Sequence, residues 1–210
     1  MSQVNFSSTS SVSFGELGPT TSLQLMFAKL QLELAETAKS QAMDKMDAIA
    51  TAQDEQKLVS QLLNEARQAK ADANSGVGSD KEKTQTYELP KKDADGNVVR
   101  DAQGKVVYET VTETVPKGNK ATFMSQEMVD YMDAHGLAYD KTGNNHSHSA
   151  DEWDVAITAL ESRLEELGTN TQQEMVYVQD YMVQYNSYLQ GANTQIANSN
   201  QTLTNLARGQ

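Results

Sequence analysis

The chain has no cysteine. Disulfides, thiolate metal sites and thiol catalysis are therefore excluded. Proline is scarce, with three residues in 210, and aromatics make up only 6%. The apolar fraction of 38% falls below the 45–50% or so of globular domains, a range that also counts glycine. This composition suits long helices whose apolar stripes need a partner better than it suits a thick core. Basic residues are also few: 17 Lys and Arg stand against 29 Asp and Glu, for a net charge of −12. An acidic excess of this size repels phosphate and argues against nucleic-acid binding. No run of about 18 apolar residues occurs, so no transmembrane helix is expected. The start, Met1-Ser2-Gln3-Val4-Asn5-Phe6-Ser7-Ser8, has neither Lys or Arg nor an apolar stretch. It does not read as a cleavable signal peptide.

The length allows one or two domains. Residues 1–20 are rich in Ser, Thr and Gly with one charge, Glu16. They are expected to be a disordered N-terminal export segment, since they bury too little apolar surface to offset ordering entropy. Residues 21–73 read as one long helix. Pro19 with Thr20, Thr21 or Ser22 supplies a start, and no Gly or Pro follows until Gly76. Leu23, Phe27, Leu30, Leu34, Ala38, Ala42, Met46 and Ile49 form a stripe spaced by threes and fours, and Leu25, Leu32 and Met43 lie on another face. A middle α+β domain is expected over 74–168, with strands within about 84–115 and helices at about 125–135 and 150–167. Inside it, Asp93-Ala94-Asp95-Gly96-Asn97-Val98-Val99-Arg100 is echoed by Asp101-Ala102-Gln103-Gly104-Lys105-Val106-Val107-Tyr108. The period of eight predicts a hairpin or small meander with turns near Gly96 and Gly104. Ser125 is read as a helix N-cap, Gly136 as a C′ glycine, and Ser149-Ala150-Asp151-Glu152 as a capping box whose helix stops at Gly168.

The segment 169–210 is predicted to be a heptad helix. Met175, Val178, Met182, Tyr185, Leu189, Ala192, Ile196, Ser199, Leu203 and Leu206 fall on unbroken 3-4 spacing. Its other faces are unusual: 181–207 holds no Asp, Glu, Lys or Arg. A solvated coiled coil carries Glu and Lys beside its seam. Uncharged amides and hydroxyls point instead to a helix enclosed in an assembly or facing a lumen. The candidates for a lumen are Gln184, Gln190, Asn193, Gln195, Asn198, Gln201 and Asn205. The fold class expected is mainly α: two long helices in an antiparallel coiled-coil hairpin, with a small α+β insert.

Residues that bear chemistry are sparse. Asp93 to Asn97 resembles the opening of a calcium loop, but positions 6 and 12 hold Val98 and Gly104 where Gly and Glu are needed. An Asx turn explains these residues. His146-Ser147-His148 places two imidazoles in a polar loop, short of the three or four ligands of a zinc site. His135 is placed at a helix C-terminus, where a cation is favourable. No nucleophile motif, phosphate loop or dinucleotide fingerprint occurs, so no enzyme and no cofactor are expected.

The segment Ser125-Gln126-Glu127-Met128-Val129-Asp130-Tyr131-Met132-Asp133-Ala134-His135-Gly136-Leu137 resembles the "xxVxxYMxxxGI" stretch of the EspA-like type III secretion filament and needle-tip proteins. Asp154-Val155-Ala156-Ile157-Thr158-Ala159-Leu160 is similar to the helix that follows there. Over residues 20–207 the chain looks most like the Bordetella-type secreted filament and tip proteins, although the β insert departs from shorter members. The resemblance implies export through a type III needle and an extracellular location at the bacterial surface. It also implies self-assembly and contacts with the needle subunit and the translocon pore proteins, with a cytoplasmic chaperone before export. The coiled-coil and assembly residues expected are Leu23, Phe27, Leu30, Leu34, Met46 and Ile49, with Met175, Val178, Met182, Tyr185, Leu189, Ala192, Ile196, Leu203 and Leu206. Neither a small-molecule substrate nor nucleic acid is expected. The alternative is a non-polymeric secreted adaptor or effector that binds translocon or host proteins through its acidic middle domain.

Overall fold

The protein, a computed structural model, is described over residues 23–142 and 145–209. The expected export segment and the cap residues Thr20, Thr21 and Ser22 lie outside these bounds. The fold is mainly helical. Helix α1 is Leu23–Ser75, strands β1 and β2 are Lys83–Pro90 and Tyr108–Val115, and β3 is Thr122–Phe123. Helix α2 is Gln126–Ala134, β4 is Ser147–His148 and α3 is Trp153–Arg208. Among the described residues, no helix is long and apolar enough to cross a membrane. The chain divides into two compact units. One, over its described residues 23–47 and 174–209, is a two-helix unit, and the other, within 48–173, is a mixed unit.

The helix ends follow from local chemistry. Helix α1 runs until Gly76, whose positive φ of 71° suits a residue without Cβ. Val77 N–H then donates to Asp72 O at 3.0 Å and Gly76 N–H to Ala73 O at 3.3 Å. These are the two bonds of a Schellman end. Helix α2 is built the same way: Ser125 Oγ accepts from Met128 N–H, and Leu137 N–H donates to Met132 O across Gly136. At the start of α3 the Glu152 carboxylate accepts from Ser149 N–H at 2.7 Å, one arm of the expected box.

The expected break at Gly168 is absent, and α3 is one helix through it. A mid-helix glycine costs only about 1 kcal/mol against alanine. Gly168 has no positive φ, and the space where its Cβ would stand is 3.8 Å from the Gln56 amide. Domain boundaries at 168 and 169 are therefore corrected: the helix expected at 150–167 and the heptad helix are the same element.

The insert follows its eight-residue repeat. Strands β1 and β2 pair antiparallel from Lys83↔Val115 to Pro90↔Tyr108. Beyond them Lys91 N–H donates to Val107 O, Val107 N–H to Val99 O, and Val99 N–H to Lys91 O. These residues are eight apart, so the repeat closes into a three-way ring of hydrogen bonds. Each turn is an Asx turn: Asp93 Oδ1 accepts from Asp95 and Asn97 N–H, and Asp101 Oδ1 from Gln103 and Lys105 N–H. The Asp93 carboxyl is held below its usual range, chiefly by the Asn97 N–H.

The mixed unit has its own core, including Trp153, Tyr87, Leu62, Met124, Met128, Met132 and Leu160. Polar links brace it. Trp153 Nε1–H donates to Thr122 Oγ1 at 2.8 Å, and that hydroxyl donates to Ala69 O at 2.9 Å. Glu55 Oε1 accepts from Tyr131 Oη at 2.7 Å and from Arg163 Nε and Nη2 at 3.1 and 2.7 Å. Burial raises the Glu55 carboxyl, but these bonds more than offset it and hold the group below its usual range. Burial pushes the Tyr131 hydroxyl up to about 12. His135 is the C-cap of α2, with its ring 4.3 Å from the Tyr131 ring.

The polar-loop reading of His146 and His148 is corrected. Both are buried: His148 lies on β4, which pairs with β3, and His146 just before it accepts from Met124 N–H at 2.9 Å through its carbonyl. His146 Nδ1 lies 2.7 Å from Glu113 Oε1, and the His146 backbone N–H donates to Glu113 Oε2 at 2.8 Å. His148 packs edge-on to Trp153 at 5.3 Å, and its buried Nε2 has no hydrogen-bond partner among the described residues.

A pH dependence follows. Burial lowers the His148 pKa from 6.5, against the opposing pull of Glu152, Asp140 and Glu113; His146 lowers it further. Between the folded value and 6.5 the unfolded chain binds more protons, so stability falls as the pH drops through this window. Urea midpoints should decrease from pH 7.5 to 5.5, and His148→Phe should flatten that slope. An equally steep slope in the variant would place the acid sensitivity elsewhere.

Candidate assembly surface

In the two-helix unit, the N-terminal half of α1 buries its smallest residues. Ala28, Ala35, Ala38 and Ala42 are buried, Ala42 completely. With half-buried Gln31 and Lys45 they form an unbroken 3-4 sequence that continues along α1 as Ile49, Ala52, Gln56, Val59, Leu63, Ala66, Lys70 and Ala73. Every one of these fourteen positions is buried or half-buried, and seven are alanine. A heptad seam thus runs the whole helix, disguised by small and polar residues.

Alanine lets backbones approach closely, and beside these alanines the longer seam residues Gln31 and Lys45 meet α3. A Cβ added at Gly191 would stand 2.5 Å from the Gln31 side chain. The Lys45 ammonium lies 2.9 Å from the Glu174 carboxylate and 5.3 Å from the Tyr177 ring centroid. Hydrogen bonding to Glu174 raises the Lys45 pKa. Lys45 thus has its partner on α3 within this unit, whereas Gln31 packs against Gly191 and its buried Oε1 has no hydrogen-bond partner among the described residues.

The bulky apolar residues go elsewhere. Leu23 is 68% exposed, Phe27 50%, Leu30 49% and Leu34 39%, and Met26, Met43 and Met46 are exposed too. Phe27, Leu30 and Leu34 each precede a seam residue by one position. On a helix of 3.6 residues per turn that rotates them about 100° away from the seam. The stripe expected from sequence therefore starts on the outer face and slides into the seam only at Ala38, Ala42 and Ile49. On α3 the expected seam is half-buried at Val178, Met182, Tyr185, Leu189 and Ile196, and buried at Ala192 and Ser199. Met175, Leu203 and Leu206 are exposed, as are Val176, Tyr177 and Val183, which the sequence reading did not single out. Of the uncharged candidates, Gln184, Gln190, Asn193, Asn198, Gln201 and Asn205 are exposed and Gln195 is half-buried.

Charge is distributed in the same sense. The described residues of the two-helix unit hold four basic and six acidic side chains, a net −2, whereas 48–173 holds 13 and 22, a net −9. Copies that meet through the two-helix unit therefore bring together the surface with the least mutual repulsion. The mixed unit has an open groove of about 420 Å³ lined by Ala138, Asp154, Val155, Thr158, Ala159 and Ser162. Its one ionisable group, Asp154, is paired with Lys70.

Substitution should separate seam from outer stripe. Ala42→Leu inserts three carbons into a filled site and should destabilise by about 1–3 kcal/mol. Leu34→Ala, on the outer stripe and more than a third exposed, should cost less, about 1 kcal/mol in the isolated chain. Thermal melts at low concentration check this, and a larger loss for Leu34→Ala would reverse the assignment of faces.

No protein-family profile matches the chain, and neither a curated protein nor a solved structure matches it at a significant level.

Proposed function

We propose that the chain is a structural, self-assembling subunit of the EspA-like type III secretion kind, closest to the Bordetella-type filament and tip proteins. In this reading it is exported through the needle and polymerises outside the bacterium, without enzymatic activity. It links the needle subunit to the translocon pore proteins as part of a protein-conducting channel, and a cytoplasmic chaperone holds it before export. The observation that carries the reading is the exposed row Leu23, Phe27, Leu30 and Leu34 beside a seam filled by alanine. Exposed apolar rows of this kind mark association surfaces.

The finer arrangement belongs to the same proposal. Within the two-helix unit the helices run antiparallel, as Gln31 near Gly191 and Lys45 on Glu174 support. Within the mixed unit Gln56 with Thr171, Arg67 with Glu161 and Lys70 with Asp154 support the same sense. The uncharged row from Gln184 to Asn205 then supplies part of a channel lining. Amides and hydroxyls exchange hydrogen bonds with water at little net gain, so passing chains are not held.

Leu30→Asp tests the assembly. The side chain is half-exposed, so the substitution should cost only about 1–2 kcal/mol and leave the chain folded. Desolvating the new carboxylate at a subunit contact should abolish sedimentable material and filaments in electron micrographs. A variant that pellets like the parent would remove the outer stripe from the assembly.

A further inference from the structure

Because the chain has no cysteine, methionine is its only sulfur. The eight described methionines divide by unit. Met124, Met128 and Met132 are fully buried in the core of the mixed unit. Met26, Met43, Met46 and Met175 are exposed, and all four belong to the two-helix unit. Met182 is half-buried on α3. Met26 sits within the outer row beside Phe27, and Met46 and Met175 adjoin in sequence the ion pair of Lys45 and Glu174. The oxidisable thioethers are thus placed on the surface through which copies are read to meet, and the core thioethers are shielded.

We propose that Met26, Met43, Met46 and Met175 form a modification site at which peroxide reversibly switches association off, an inference that rests on the assembly reading above. The thioether sulfur attacks one oxygen of hydrogen peroxide. An S–O bond forms and the O–O bond breaks. The departing hydroxide takes the proton from the transferred hydroxyl and leaves as water. Sulfur is oxidised by two electrons and peroxide is reduced. The product sulfoxide is polar and hydrogen-bonded to water, so burying it in an apolar contact costs what burying the thioether does not. The folded unit itself survives, because its seam is built from alanine and none of the four methionines occupies a seam position of α1 or is buried on α3. Sulfoxide reductases return the thioether, with a thiol as electron donor.

The test uses the full chain and hydrogen peroxide. Peptide mass spectrometry after graded exposure should find sulfoxide at Met26, Met43, Met46 and Met175 well before Met124, Met128 or Met132. At that stage circular dichroism should be unchanged, and the concentration at which the chain pellets should rise about tenfold or more. Sulfoxide reductases with dithiothreitol should restore it. The quadruple variant Met26→Leu, Met43→Leu, Met46→Leu and Met175→Leu should pellet normally and ignore the same exposure, since leucine keeps volume and apolarity. Unchanged pelleting with all four converted would overturn the switch and leave the assembly reading standing. Loss of pelleting in the peroxide-treated quadruple variant would also overturn it by locating the effect in another residue. A chain that never pellets before oxidation would remove the assembly reading and the switch together.

Discussion

Everything distinctive in the two-helix unit depends on one packing constraint, a seam made of alanine. A helix can approach a neighbour closely only where its side chains are small, and Ala28, Ala35, Ala38 and Ala42 meet that condition at four of the six seam positions of α1 in this unit, with Gln31 and Lys45 at the other two. Close approach has a consequence for area. Alanine buries little, so this pairing draws less hydrophobic free energy than leucine layers would. The Leu, Phe and Met side chains beside the seam stay in water. Full burial of one such side chain contributes about 1.5–3 kcal/mol. The half-exposed row from Leu23 to Leu34 therefore holds several kcal/mol that a single copy leaves unused. The stretch 181–207 holds no charged side chain, so it would set little electrostatic barrier to a second copy.

The mixed unit is built on the opposite principle. Trp153, Tyr87 and a methionine cluster fill a core of their own, and the charges at its edge are tied to one another. Glu55 collects Tyr131, Arg163 and His135, so the tyrosine of α2 holds that helix against residues of α1 and α3. Most of the acidic excess sits here. One unit satisfies itself and carries repulsive charge, while the other has spare apolar surface and little charge. In the proposed assembly, the first of these parts would stay solvated and the second would meet another copy.

Much of the fold was legible, for identifiable reasons. Serine and glycine at helix ends act through local hydrogen bonds, so Ser125 and Gly136 were readable without tertiary knowledge. The repeat around Gly96 and Gly104 was readable for the same reason, although its closure through Lys91, Val99 and Val107 is tertiary. Gly168 misled because glycine breaks a helix only where a positive φ or a cap favours it, and here flanking turns and packing carry the helix through. His146 and His148 misled because a polar sequence was equated with exposure, whereas Glu113 and the aromatic rings provide a buried site for imidazoles. The seam of α1 was hidden by the habit of following large apolar residues. Its signal was the 3-4 recurrence of alanine, which hydropathy hardly registers. Leu23, Phe27, Leu30 and Leu34 were thus singled out, but on the wrong face of α1: they are exposed, and the seam is formed by other residues.

The absence of native cysteine permits one direct measurement of the central claim, that bulky residues of α1 face outward and are covered only by another copy. Single cysteines at Leu30 and Ala35 would be labelled with a maleimide at low and at high protein concentration. The account predicts rapid labelling at Leu30→Cys in dilute solution, slow labelling at Ala35→Cys throughout, and protection of position 30 as concentration rises. Equal reactivity at the two positions in dilute solution, or undiminished reactivity at position 30 in concentrated protein, would contradict it.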